Sequence, residues 1–471
     1  MPSTDRMSAF TMKGSTVPEH PRRRVVWPLI SSVAAVLLLL FIQFSAVDIA
    51  SIFPFRLVSG PRTPISNTAA LETCAWKTLQ SHTSLLDVPP IARSDFIARQ
   101  RVLASALRAA RIDAFVAEPS ASSSYYANIP AAFHLSERPF LMILDSDASF
   151  SYLVPQFETG RINVKSQHMV FDGDVEKAAI PWAEEENPYA VLARRLGTSK
   201  RVMVDEHLRH MIAGGLEAVG IQVKPMSDEV RQLRTVKTES EIAILKGING
   251  FTRQLVRSLQ GCLHVGLTQE DVGEPCLRGR ALERGFWAIA LFGPWAAYPH
   301  GGKSGAVLHE NEFVLIDIGS QLHGYGSDVT RTILPPGGVV SDELMEIWQT
   351  VRREQTAGFE KMRPNETCRS ADAASRVPVK EQGYGPYYTH RLGHGLGLEV
   401  HEHPYLNGAN HERLAAGVVV TNEPGIYVTT EQARELGKSE GFGVRLEDPI
   451  LVTEHGGVPL TGRRAESPWD P

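Results

Sequence analysis

In the stretch RSDFIARQRVLASALRAA the apolar residues recur at three- and four-residue spacing, which predicts a helix, and short apolar runs follow at DAFVAE, FLMILD and FSYLVP with turn residues between them. Helix and strand signals alternating in this way predict an α/β module. A second helix-rich passage, about 228–260, contains VRQLRTVKTESEIAILKGI, whose charges suit an exposed helix face, and a domain boundary is placed near it. Strand-like runs then recur at FVLIDIG, VTRTIL, VVVTNEPGIYV and VRLEDPILVT. Residues 48–90, poor in periodicity and dotted with Pro, Ser and Thr, read as a stalk or linker.

One run departs from globular patterning. Residues 25–47, VVWPLISSVAAVLLLLFIQFSAV, carry no charge and are long enough to cross a bilayer as a helix. Arg22, Arg23 and Arg24 precede them and would hold residues 1–24 in the cytosol, placing the rest in the lumen or outside the cell. A cleaved signal peptide would need a small residue at the third position before the cut. Around Ala46 and Ala50 that position holds Phe44 or Val47, so a retained single-pass signal anchor is expected.

The remaining composition is ordinary for a globular chain: 471 residues, 43% hydrophobic and 21% charged. A formal net charge of -5 and no basic stripe past the N-terminus argue against a nucleic-acid partner. Cys74, Cys262, Cys276 and Cys368 form neither a disulfide framework nor a CxxC zinc pair; a lumenal disulfide stays open, with no pairing assigned. The triplet Asn365-Glu366-Thr367 is a glycosylation acceptor pattern compatible with lumenal exposure.

The chemistry lies in acids set among apolar residues. Asp317 lies near the end of FVLIDIG, and after GSQLHGYGSD the chain returns with Asp328 ahead of VTRTIL, which predicts a hairpin with both carboxylates on one side. Glu423 and Glu447 sit in similarly apolar runs, where an unpaired carboxylate is costly. HRLGHGLGLEVH adds His390, His394 and His401 on a glycine-rich backbone. Four acids with His394 would be balanced by two divalent cations, and so oxygen-rich a set favours Mn²⁺ over Zn²⁺ or Co²⁺.

The motifs DIGSQLHGYGSDVTRT, HRLGHGLGLEVHE, TNEPGIYV and GVRLEDP, in this order, resemble those of the aminopeptidase P and prolidase family of pita-bread metallopeptidases. YYANIP, LSERPF and WAEEENPY resemble the N-terminal domain that these enzymes share with creatinase. The resemblance implies an α/β (α+β) architecture: a creatinase-like N-terminal domain at 91–232, then a pita-bread metallopeptidase domain at 233–460. It implies that Asp317, Asp328, His394, Glu423 and Glu447 are metal ligands, with Asp328 and Glu447 bridging two ions. By the same resemblance Glu423 is the general base, His300, His390 and His401 face the substrate or its transition state, and Arg445 steadies an acid. Gly393, Gly395 and Gly397 are expected to leave the approach to the metals clear.

The implied substrate is a peptide with proline second, cut as an Xaa-Pro aminopeptidase or dipeptidase, and a homodimer is the common state of related enzymes. Trp295 stands where the related loop has asparagine, and is expected to reshape the pocket. A metal-dependent hydrolase or lyase acting on a small molecule, and a non-catalytic peptide-binding scaffold, are the alternatives.

Overall fold

The computed structural model describes residues 67–471 except 134–136, 161, 163–168, 198–199, 274–286 and 303–304. The tail 1–24, the apolar run 25–47, residues 48–66 and Cys276 lie outside the described residues, as does part of LSERPF. Among the described residues no helix is long and apolar enough to cross a membrane.

Residues 67–90 of the expected stalk are not a linker. Helix α1 (Asn67–Leu79) and the 3₁₀ turn Gln80–Leu86 lie on the body, with Leu71, Ala75 and Leu79 buried. A stripe of one small or apolar residue per turn is too narrow to stand out as amphipathic. Cys74 is also disulfide-bonded to Cys262, a pairing 188 positions apart that no local pattern announces.

Helix α2 (Arg93–Ala109) packs on a six-stranded sheet in the order β4-β3-β2-β1-β5-β6. Its strands are β1 (Ala114–Ala117), β2 (Leu141–Asp145), β3 (Phe150–Pro155), β4 (Ala179–Trp182), β5 (Arg201–Val204) and β6 (Gln222–Pro225). Phe115, Met142, Leu144 and Tyr152 pack on one face and Val116, Leu141, Ile143 and Leu153 on the other. Burial on both faces is why these strands read as unbroken apolar runs.

Helix α3 (Glu239–Gln260) opens with a capping box between Thr238 and Glu241 and buries Ile244, Ile248, Phe251, Leu255 and Leu259 along one side. The charges before it and along it are only in part the expected exposed face: Glu239 and Lys246 are exposed, but three others are not. Arg234, Lys237 and Glu241 are buried, paired with Glu399, Glu402 and Arg99 respectively. Those partners sit far away in the chain, so the sequence offered only the charges and not their neutralisation.

The second half carries β7 (Trp287–Phe292), β8 (Val314–Gly319), the two-residue strands β9 (Gln321–Leu322) and β10 (Tyr325–Gly326), and β11 (Val329–Ile333). The expected hairpin is present: β11 runs antiparallel to β8 with Thr330 opposite Asp317, and β7 flanks β8 on its other edge. Helices α4 (Asp342–Phe359) and α5 (Cys368–Glu381) pack together beside a five-stranded sheet. That sheet, ordered β13-β12-β14-β17-β18, uses β12 (Gly393–Gly395), β13 (Glu402–Leu406), β14 (Val419–Asn422), β17 (Asp448–Thr453) and β18 (Gly456–Pro459). Strands β15 (Gly425–Val428) and β16 (Phe442–Arg445) form a separate antiparallel pair.

The glycines of the histidine segment serve close packing, not open approach. A Cβ on Gly393 would lie 2.0 Å from the Thr421 carbonyl oxygen, and one on Gly395 2.3 Å from that of His403. Neither glycine has a positive φ. Neighbouring backbone forbids a side chain there.

Candidate metal centre

Four carboxylates and an imidazole from five separate segments meet at the floor of one cavity of about 870 Å³. Asp317 comes from β8, Asp328 from the residue before β11, His394 from the middle of β12, and Glu423 and Glu447 from the turns after β14 and β16. Their ligand atoms fall into overlapping triads: Asp317, Asp328 and Glu447 in one, His394, Glu423 and Glu447 in another, each within 4.8 Å. Glu447 belongs to both. Asp328 also groups with His394 and His401.

Each side chain is held by its surroundings. The Asp328 amide donates to Asn249 Oδ1 of α3 at 3.1 Å. Thr330, opposite Asp317, donates its hydroxyl to Glu447 at 2.6 Å and accepts from Arg445 Nε at 3.0 Å. Arg445 also forms a buried ion pair with Asp317, which is the acid it steadies. Thr421 Oγ1 accepts from the His394 amide at 3.0 Å and lies 3.3 Å from Glu423, to which it donates.

The electrostatics call for a cation. Burial pushes the carboxyls of Asp317, Asp328 and Glu447 upward, and their proximity to other acids adds to it. Glu423 goes the other way: burial would raise it, but the His394 hydrogen bond and nearby positive groups hold it down to about 2. Asp317 Oδ1 and Glu447 Oε1 are buried with no hydrogen-bond partner. His394 Nδ1 faces the Gly395 carbonyl at 3.1 Å, and its Nε2 faces Glu423, 3.1 Å away, and Asp328, 3.6 Å away. A cluster of buried acids with orphaned oxygens and an imidazole beside them fits a divalent ion.

The other expected residues take different places. His401 stands edge-on to His394 with ring centres 4.2 Å apart, and burial, with His394 and Arg391 nearby, lowers it to about 4. His300 lines the same cavity. His390 also lines it, but both ring nitrogens are engaged by the protein, Nδ1 with the Arg391 carbonyl at 2.7 Å and Nε2 with the Tyr427 hydroxyl at 2.9 Å. Trp295 is not among the lining residues; Trp287, Ile289, Tyr298 and Val400 make the apolar wall instead.

Sequence reasoning missed Tyr427 and Thr330. With Nδ1 of His390 donating to its own chain, the Tyr427 hydroxyl donates to Nε2 and accepts from Arg445 Nη1 at 3.0 Å. Asp317, Arg445, Tyr427 and His390 thus form one hydrogen-bonded chain. Both missed residues lay inside quoted motifs, as the Tyr of TNEPGIYV and the first Thr of DVTRT, and their alternation with the acids was the available signal.

The model of metallopeptidase family M24 matches residues 243–454. An uncharacterized peptidase of Schizosaccharomyces pombe is 39% identical over 415 residues, covering 82% of this chain and 87% of its own. The dipeptidase PepE of Mycobacterium ulcerans superposes with a TM-score of 0.68 at 26% identity over 80% of this chain and 98% of its own. The Xaa-Pro dipeptidase of Bacillus anthracis gives 0.62 at 28% identity over 79% and 98%. With its α/β pita-bread fold and converging acids, the chain belongs to metallopeptidase family M24 and is a hydrolase of that family.

Proposed function

We propose that the protein is a dinuclear exopeptidase that hydrolyses the bond before proline, as an Xaa-Pro aminopeptidase or Xaa-Pro dipeptidase. The observation that carries this reading is the pair of triads sharing Glu447, with unpartnered carboxylate oxygens in both Asp317 and Glu447. Two divalent cations, Mn²⁺ by the oxygen-rich donor set, would be held by Asp317, Asp328, His394, Glu423 and Glu447 and would supply a polarised carbonyl and a water acidic at neutral pH. Glu423, ionised beside His394, takes the proton of the attacking water and returns it to the leaving nitrogen. His401 and His300 offer N–H groups to the developing oxyanion from the cavity wall. The wall of Trp287, Ile289, Tyr298 and Val400 suits the apolar pyrrolidine ring, and the Bacillus anthracis relative is an Xaa-Pro dipeptidase.

The test is hydrolysis of matched Xaa-Pro-Yaa, Xaa-Pro and Xaa-Ala-Yaa peptides by the Mn²⁺-loaded full chain beside Asp328→Asn. Cleavage before proline, lost in the mutant, is the expected result. Two bound metals with no peptide cleaved would point to a small-molecule reaction, and no bound metal to a scaffold.

A membrane-anchored protein with its body on the lumenal or outer side completes the reading. The Cys74–Cys262 bridge suits an oxidising compartment, and Asn365 of the Asn-Glu-Thr triplet is exposed. Added protease should spare the body in sealed microsomes; its digestion there would reverse the orientation.

A further inference from the structure

The segment that delivers the histidines is gripped from outside the sheet. The carbonyls of Tyr388 and His390 receive no backbone N–H among the described residues. Both accept instead from Arg376 of α5: Nη1 reaches Tyr388 at 3.0 Å and Nη2 reaches His390 at 2.6 Å. One turn earlier on the same helix, Asp372 takes Arg376 in a two-pronged pair at 2.8 and 2.9 Å. Asp372 Oδ1 also accepts from the Leu392 amide at 3.1 Å. Three alternate residues of the segment leading into β12, 388, 390 and 392, are therefore tied to one helical pair. The Tyr388 ring closes the site from one side, 4.1 Å from the guanidinium.

This grip reaches both halves of the candidate centre. Leu392 also accepts the Glu423 amide on its carbonyl at 2.9 Å, and His394 lies two residues further on, in β12. A shift of the backbone at 390–392 would move the His390 ring off Tyr427, His394 off its neighbours and Glu423 with them. Asp372 itself is almost completely enclosed, its side chain 4% exposed, so the carboxylate depends on Arg376 for compensation.

We propose that Asp372 and Arg376 are positioning residues: a planar clamp on α5 that sets the placement of His394 and Glu423 for metal binding and catalysis, resting on the metallopeptidase reading above. Arginine is required because one flat group must meet a carboxylate along one edge and two carbonyls along another. A lysine ammonium keeps the charge but presents a single point.

The experiment compares the purified full chain with Arg376→Lys, Asp372→Asn and, as a control, Leu216→Ala, a fully buried residue packed on the N-terminal sheet. Three quantities are read: Mn²⁺ affinity of the metal-free protein by calorimetry, kcat and KM on the best peptide, and the unfolding midpoint without metal. Arg376→Lys should bind Mn²⁺ about tenfold more weakly and lose about 10- to 100-fold in kcat, with KM little changed. Asp372→Asn should move the same way by a smaller factor, and it serves if the lysine variant does not fold. Wild-type Mn²⁺ affinity and kcat in these variants would overturn the clamp. So would equal losses in Leu216→Ala, which would make the effect one of stability alone. A wild type that binds Mn²⁺ but cleaves no Xaa-Pro peptide would sink the proposed substrate class, while the affinity comparison would still decide the clamp.

Discussion

The Tyr427 hydroxyl is a small group with two obligations. It accepts from Arg445, which is paired with Asp317, and donates to His390. Burial pushes its ionisation well above the ordinary tyrosine range despite Arg445, so it remains a neutral donor. Tyr427→Phe keeps the ring and removes both bonds, leaving an arginine N–H and an imidazole nitrogen unpaired. We expect kcat to fall about tenfold or more with the fold retained, read by steady-state kinetics beside a thermal melt. An unchanged kcat would mean that the chain from Asp317 to His390 is idle. The acids themselves were legible in the sequence because carboxylates inside apolar runs are costly unless something compensates them. Tyr427 and Thr330 were not, because hydroxyls are ordinary in strands and their role appears only when β11, β15 and β16 are brought side by side.

Among the elements, β12 is the most constrained. It is a three-residue strand, squeezed between β13 and β14, and it carries His394 at its centre. Gly393→Ala would drive a methyl into the Thr421 carbonyl, from which only 2.0 Å separates it. We expect a loss of about 3 kcal/mol or more in unfolding free energy, or failure to accumulate as soluble protein, measured by denaturant titration. The strand signals and the Asp317–Asp328 hairpin could be read from short apolar runs and the turn residues between them, because both depend on neighbouring residues. Helix α1 and the buried charges around α3 could not. A thin stripe of Leu71, Ala75 and Leu79 resembles linker composition, and Lys237 looks solvent-facing until Glu402 is found beside it.

For the whole molecule the centre makes stability depend jointly on pH and metal. Asp317, Asp328 and Glu447 hold protons more tightly folded than unfolded in the absence of a cation. Their contribution is therefore complete below the ordinary carboxylate range and is lost as pH climbs through their raised values. Bound cations reverse that penalty. The gap in unfolding temperature between Mn²⁺-loaded and metal-free protein should widen from about pH 5 to about pH 7.5, by calorimetric scans in the two states. A gap that narrowed over this range would contradict a carboxylate-built site.

The Cys74–Cys262 bridge has a mechanical consequence. Tension arriving through residues 1–66 enters the body at α1, and from Cys74 it has two covalent routes onward. One runs along the chain through residues 80–92; the other crosses directly to the end of α3. A single cut between residues 80 and 92 would therefore leave the two pieces covalently joined until the sulfurs were also reduced.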